Sequence, residues 1–226
     1  MSNPSNMRAE KGSKYWMQEI VNTKFLRKEL ENKLGVKSLE WISPLENESY
    51  DEYKLTEEKL KKKIPSLKDV DFSFWPKNGP EWDAIALSED GSELYLFEAK
   101  SYEKEMLSNM RATSDESIEK IRKSMRKVCE DVYKNKYDSS LWEKEYYQIG
   151  NRLTFLYNMN HEMHFDKIIK VKLVLLNVVF DITHDKTKRT QLDAWKKHYG
   201  DVFEKMTGSR IIPEDVTMVY FYCGFC

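Results

Sequence analysis

The stretch from Trp82 to Lys100, W-D-A-I-A-L-S-E-D-G-S-E-L-Y-L-F-E-A-K, constrains this chain more than any other. Two apolar runs flank Asp90-Gly91, and Gly tolerates the positive φ that hairpin turns need. The pattern predicts two antiparallel strands. A turn centred between Asp90 and Gly91 pairs residues whose numbers sum to 181. Asp83 then falls opposite Glu98, Ile85 opposite Leu96, and Leu87 opposite Leu94. Directly opposed residues share a face, and the face repeats at every second residue. Lys100 therefore joins Asp83 and Glu98. The other face is expected to carry Trp82, Ala84, Ala86, Tyr95, Phe97 and Ala99.

Two carboxylates directly opposite each other destabilise a sheet. Both strands are apolar enough to be buried, and buried carboxylates need partners. A divalent cation would satisfy both, with the Lys100 ammonium as a third, positive group beside them. The competing reading is a solvated sheet edge, where Glu98–Lys100 and Glu81–Lys100 are ordinary surface pairs.

The 226 residues suffice for one large domain with a proper core and are short for two. Residues 1–12 read as a polar, frayed tail without the apolar centre of a secretory signal, and 13–226 as a single domain. No apolar run approaches the ~18 residues of a transmembrane helix. Against 37 basic residues stand 38 acidic ones, so any surface for nucleic acid must be local rather than global. Three cysteines suit a reducing, cytoplasmic compartment. Cys223-x-x-Cys226 and His161-x-x-His164 form a Cys₂His₂ set of the kind that holds zinc; unpaired thiols and a surface histidine pair are the plainer reading.

Along the chain, Ser13 to Leu34 reads as one helix, capped by Ser13 and closed by Gly35. Ser38 to Ile42 is a short strand that ends before Pro44. Tyr50 to Lys63 reads as a second helix with a basic end, Lys61-Lys62-Lys63, suited to a phosphate or to the helix dipole. Asp71 to Pro80 is aromatic and turn-rich, a packing loop or a stacking surface. The capping box Thr113-x-x-Glu116 opens a helix with Ile118, Ile121, Met125, Val128 and Val132 on its apolar stripe. Lys120, Arg122, Lys123, Arg126 and Lys127 lie off the stripe, a solvated face or a nucleic-acid contact. Ser140-x-x-Glu143 opens a further helix to about Asn160, with Gln148, Asn151 and Arg152 one turn apart beside its apolar stripe. Val171 to Asp181 is a strand buried on both faces; a helix over 189–205 and a strand over 216–223 follow. This order suits an α/β domain with a central mixed sheet flanked by helices.

Gly79-Pro80-Glu81-Trp82-Asp83, fourteen residues, then Glu98-Ala99-Lys100 resembles the active-site motif of the PD-(D/E)XK nuclease superfamily. The blocks W41-I-S-P-L, Y50-D-E-Y, F74-W-P and Y147-Q-I-G-N-R-L are similar to those of an uncharacterised bacterial family placed in that superfamily, and they span roughly residues 11–160. Pro80 departs from the pattern, standing three residues before Asp83 rather than next to it. The resemblance implies a restriction-endonuclease-like core and a metal-dependent nuclease acting on nucleic acid, DNA foremost. It implies Mg²⁺ or Mn²⁺ on Asp83, Glu98 and the carbonyl of Ala99, with Lys100 assisting the attacking water and a 5′-phosphate product. Glu19, on the first helix, and Glu52, in the Y-D-E-Y block, are rival third carboxylates. The resemblance also implies that Gln148, Asn151 and Arg152 approach the metal site or a phosphate. The alternative is a nucleic-acid-binding or scaffold protein that keeps the fold without cleavage.

Overall fold

A computed structural model describes residues 8–223. The strands are β1 (Leu39–Ser43), β2 (Tyr53–Lys54), β3 (Glu81–Trp82), β4 (Ala84–Ser88), β5 (Glu93–Lys100), β6 (Lys170–Val179) and β7 (Val216–Tyr222). The α-helices are α1 (Gly12–Asn22), α2 (Lys24–Leu34), α3 (Glu58–Lys63), α4 (Asp115–Lys127), α5 (Tyr147–His161) and α6 (Leu192–Thr207).

The protein is α/β, with a five-stranded mixed sheet in the order β1-β4-β5-β6-β7. β1, β4 and β5 run antiparallel to one another, and β5, β6 and β7 are parallel. β4 and β5 take the expected register, with Ala84 opposite Phe97, Ile85 opposite Leu96 and Leu87 opposite Leu94. Gly91, at φ 72°, makes the turn, and its amide donates to the Ser88 carbonyl at 2.8 Å. The Asp90 carboxylate accepts from the Ser88 and Ser92 hydroxyls and the Ser92 amide. These bonds hold its pKa down at about 2.

Helices cover both faces of the sheet. Trp16, Met17, Ile20, Val21 and Leu30 of α1 and α2 pack on Ala84, Ala86, Tyr95, Phe97, Val174, Leu176 and Val178. On the opposite face Ile121, Met125, Ile149, Leu153, Trp195 and Phe203 of α4, α5 and α6 pack on Ile85, Leu87, Leu94, Leu96, Leu173 and Leu175. β6 alternates between the two layers, so its apolar run is buried on both sides. Each large apolar side chain enclosed in this way stabilises the fold by roughly 1.5–3 kcal/mol.

The structure departs from the sequence reading where long-range contacts override local pattern. The first helix is two: Thr23 is extended at φ −104° and ψ 114°, between α1 and α2. Asn22 Nδ2 holds the break, donating to the Gln18 and Pro44 carbonyls at 2.8 Å each. Ser13 does not cap it; the N-cap position is Lys11. Residues 8–11, read as tail, fold back on α1, where the Ala9 amide donates to Gln18 Oε1 at 2.7 Å. Tyr50 to Lys63 is not one helix. Ser49 and Tyr50 both adopt φ 58°, Tyr53 pairs with Trp82, and only Glu58–Lys63 is helical. A run of good helix formers is a weak preference beside the burial of Tyr53 against its strand partner.

Ser114, not Thr113, caps α4, accepting from the Ser117 amide at 3.3 Å. The segment 140–145 turns in wider-than-α loops, with the Tyr146 amide reaching the Leu141 carbonyl at 2.8 Å, and α5 starts at Tyr147. Glu143 caps nothing. It is buried, bound by Arg122 Nε at 2.9 Å and Nη2 at 3.0 Å and by the Tyr137 hydroxyl at 2.9 Å. Finally, Trp82 lies with the α5 layer, not with Ala84. Asp83 interrupts the strand between β3 and β4, so the alternation of faces does not carry across it.

Candidate active site

Asp83 sits at the break between β3 and β4, beside the C-terminal end of β5. Its amide donates to the Phe97 carbonyl at 3.2 Å, and its Oδ2 accepts from the Ala99 amide at 2.7 Å. The ladder that pairs Ala84 with Phe97 thus brings Asp83 to the level of Glu98. The even residues of β5 face α5, and there Glu98 meets two cations. Lys100 Nζ donates to Oε1, and Arg152 Nε donates to Oε2 at 2.7 Å. Lys100 also donates to Gln148 Oε1 at 3.2 Å. Glu98 is 1 % and Lys100 5 % exposed, which rules out a solvated sheet edge. Glu81 pairs elsewhere, with Lys54 at 3.8 Å.

The electrostatics follow from this geometry. Burial opposes ionisation of Glu98, but Arg152 and Lys100 outweigh it and hold its pKa below the ordinary value. Burial likewise disfavours the Lys100 ammonium, yet Glu98 and Asp83 raise its pKa above that of a free lysine. Asp83 goes the other way. Burial first, then the Glu98 charge, push it up to about 7. Glu52 is also raised, by burial and then by Glu81 and Glu98, although Lys14 opposes this from 3.2 Å.

Above Asp83 opens a cleft of about 910 Å³. Glu52, Asp83, Gln148, Asn151 and Arg152 line it, with Trp75 and Tyr147 contributing rings. Of the two rival carboxylates, Glu52 therefore reaches the site, because the segment around it is extended rather than helical. Glu19 binds Arg8 at 2.5 Å instead. Arg152 reaches the Glu98 carboxylate and Gln148 reaches Lys100, but Arg152 is not free to take a phosphate. Its Nη1 donates to Asn151 Oδ1 at 3.1 Å, its Nη2 to the Glu81 carbonyl at 2.7 Å, and its guanidinium lies 4.3 Å from the centroid of the Trp82 ring. It positions Glu98 and ties β3 to α5.

Other candidates are engaged elsewhere. Lys61 pairs with Glu58 and Lys63 with Glu48. On α4, Arg122, Arg126 and Lys127 pair with Glu143, Glu130 and Glu162. In the aromatic loop, Phe72, Phe74 and Trp75 pack around Phe155, with ring centroids 4.9–6.4 Å apart. That is a wall, with only Trp75 also facing the cleft. For the zinc reading, Cys226 lies outside the described residues. Met163 and Phe165, beside the two histidines, pack with the α5 layer, whereas Cys223 packs with the α1 layer.

The sequence reading missed Trp82 as the shelf under Arg152, Lys14 as the partner of Glu52, and Asn177. Asn177 is fully buried and stands beside Lys100 in the parallel ladder. An amide inside an apolar strand was its signal. Lys14 and Trp82 carried none, since their partners lie far off in the chain.

Among the described residues, no three His, Cys, Asp or Glu side chains are grouped so as to hold a metal ion. Magnesium, however, is commonly held by one or two carboxylates together with substrate phosphates. Asp83 keeps one oxygen clear of hydrogen bonds from the described residues and fits that donor chemistry, whereas both oxygens of Glu98 beside it already accept from Lys100 and Arg152. No family model, curated protein or solved structure matches this chain.

Proposed function

We propose that this protein is a metal-dependent nuclease of the PD-(D/E)XK type, hydrolysing phosphodiester bonds with Asp83, Glu98 and Lys100. The observation that supports the reading is the register of the hairpin. It brings two carboxylates to one level at the end of a buried strand, with an ammonium two residues on and a cleft above. Asp83, Glu98 and the Ala99 carbonyl would hold Mg²⁺ or Mn²⁺, which when bound lowers the pKa of a water and offsets developing negative charge.

The protein's own residues do the rest. Arg152 fixes Glu98 through a charge-assisted bond and keeps its charge tolerable under burial. Gln148 holds Lys100 Nζ from the α5 side, so the ammonium is placed between the floor of the cleft and Glu98. From there it can orient a nucleophile and stabilise an anionic phosphate. Glu52 is the third carboxylate of this reading. Free Cys129 and Cys223 accord with a reducing, cytoplasmic setting, and among the described residues no helix is long and apolar enough to cross a membrane.

One observation favours a second reading, a nucleic-acid-binding protein without cleavage: both oxygens of Glu98 are already taken by Lys100 and Arg152. A cleavage panel separates the two. The purified protein and its Asp83→Asn variant are incubated with single- and double-stranded DNA and RNA, with Mg²⁺, with Mn²⁺ and with EDTA. The nuclease reading expects metal-dependent cutting by the parent alone. Binding without cutting in any arm, or equal cutting by the variant, defeats it.

A further inference from the structure

Three carboxylates at the cleft have a cation, Lys14 on Glu52, Lys54 on Glu81, and Lys100 with Arg152 on Glu98, while among the described residues Asp83 has none. Two cleft-lining cations do not share in this. Lys77 and Arg111 are exposed, and among the described residues neither has a carboxylate within ion-pair reach. They come from two loops that are both fixed. The loop bearing Lys77 is held by Trp75 on Phe155 and by the Thr56 hydroxyl, which donates to the Lys77 carbonyl at 3.4 Å. The loop bearing Arg111 is stitched to the start of α5. There the Ser108 amide donates to the Glu145 carbonyl at 2.9 Å, the Tyr147 amide to the Ser108 carbonyl at 3.1 Å, and the Met110 amide to the Glu143 carbonyl at 2.8 Å. Asn78, Asn109 and Thr113 add neutral hydrogen-bonding groups between them.

We propose that this cleft binds a single strand of nucleic acid, with Lys77 and Arg111 holding phosphates that flank the one placed at Asp83. The identity of the central phosphate as the scissile one rests on the nuclease reading; the binding does not. Arg and Lys on fixed loops position a phosphate backbone without reading bases. The strand must be single for steric reasons. Glu98 and Lys100 lie beneath the floor, 1 % and 5 % exposed, and Asp83 is half-buried. A space of about 910 Å³ is on the scale that encloses one small ligand, roughly 300–1,000 Å³, and so a few nucleotides. A duplex keeps its phosphates on the outside of a stiff, paired rod, whereas a single strand can be threaded and splayed so that one phosphate drops to the level of Asp83. Tyr147, half-buried at the cleft, offers ring surface for a base on the way in.

The test is fluorescence anisotropy in EDTA, so that nothing is cut. The probes are a labelled oligothymidylate and a labelled hairpin duplex, titrated at several KCl concentrations. The proteins are the parent, the Lys77→Gln/Arg111→Gln double variant, and a Lys167→Gln control on an exposed lysine beside the Gly91 turn, at the opposite end of the hairpin from Asp83. The parent should bind the single strand at least about tenfold more tightly than the duplex. The double variant should lose about tenfold or more in affinity, and its slope of log K against log[KCl] should fall by about 1.4, or ~0.7 per phosphate contact. The control should match the parent. Equal binding by parent and double variant overturns the proposal, as does duplex binding as tight as single-strand binding, or no binding by the parent. Cleavage assays with Mg²⁺ on the same proteins keep the two readings apart. If the parent cuts and Asp83→Asn does not, but the double variant binds like the parent, the nuclease stands and the strand track falls. If binding behaves as expected and nothing is cut, the track stands and the nuclease falls.

Discussion

Arg152 Nη2 lies 2.5 Å from Glu98 Oε2, and both side chains are almost wholly enclosed. A buried pair of this kind adds little net stability against an apolar core, but breaking it strands a charge. Arg152→Ala should lower the unfolding free energy by about 3–5 kcal/mol in urea titrations. Arg152→Lys should recover only a small part, since an ammonium cannot reach Glu98, Asn151 and the Glu81 carbonyl together while lying on Trp82. A loss under ~1 kcal/mol for the alanine variant would mean that water takes over the guanidinium's role.

The Lys100 ammonium touches Glu98 and Gln148 but not Arg152's other partners, so its removal leaves Glu98 with one cation. Lys100→Ala should therefore fold, and should bind Mg²⁺ in calorimetric titrations, while its cleavage rate falls by ~10²-fold or more. Asp83→Ala should lose Mg²⁺ binding itself. Cleavage by Lys100→Ala at the parent rate would remove Lys100 from the chemistry.

Asp83 sets a pH dependence whose sign is opposite to that of an ordinary paired carboxylate. Its folded pKa, about 7, stands above its usual value of 3.8. Its stabilising contribution is thus complete below pH ~4 and is lost as pH rises through about 7. Glu98, held low, contributes the other way, present above its usual pKa and lost in acid. The difference between parent and Asp83→Asn isolates the first effect. In EDTA, the variant should gain on the parent from pH 5 to pH 8, by no more than about 3 kcal/mol and by less where water reaches the carboxylate. A stability difference that stays flat over that range would show that Asp83 ionises normally.

Phe155 is the hub of the aromatic wall beside the cleft, touching Phe72, Phe74, Trp75 and Trp82. Phe155→Ala should cost about 3–5 kcal/mol in chemical denaturation, the usual range for a buried ring replaced by a methyl group. It should also raise quenching of tryptophan fluorescence by acrylamide, because Trp75 and Trp82 lose their packing partner. Unchanged quenching would place the support of the wall elsewhere.

Much of the frame could be read from local pattern. The Asp90-Gly91 turn fixes the pairing of β4 with β5, because a turn residue with positive φ leaves few registers open. The apolar run over 170–179 had to be a strand covered on both faces. The apolar stripe through Ile121 and Met125 had to face a core. These features depend on neighbours two to four residues apart, and periodicity reports them directly.

The site needed the tertiary structure, because its bonds join residues far apart in the chain. Nothing local distinguishes Arg152, spent on Glu98 and Glu81, from Arg111, left to the cleft. Nor does helix propensity reveal that Thr23 breaks the first helix or that Tyr53 leaves a helical run to pair with Trp82. In each case a preference worth tenths of a kcal/mol per residue meets a burial or a charge pair worth several times more. Local sequence set which strands could form and which faces were apolar. Which carboxylates stayed uncompensated, and which cations were left to face the cleft, was decided only when the chain packed.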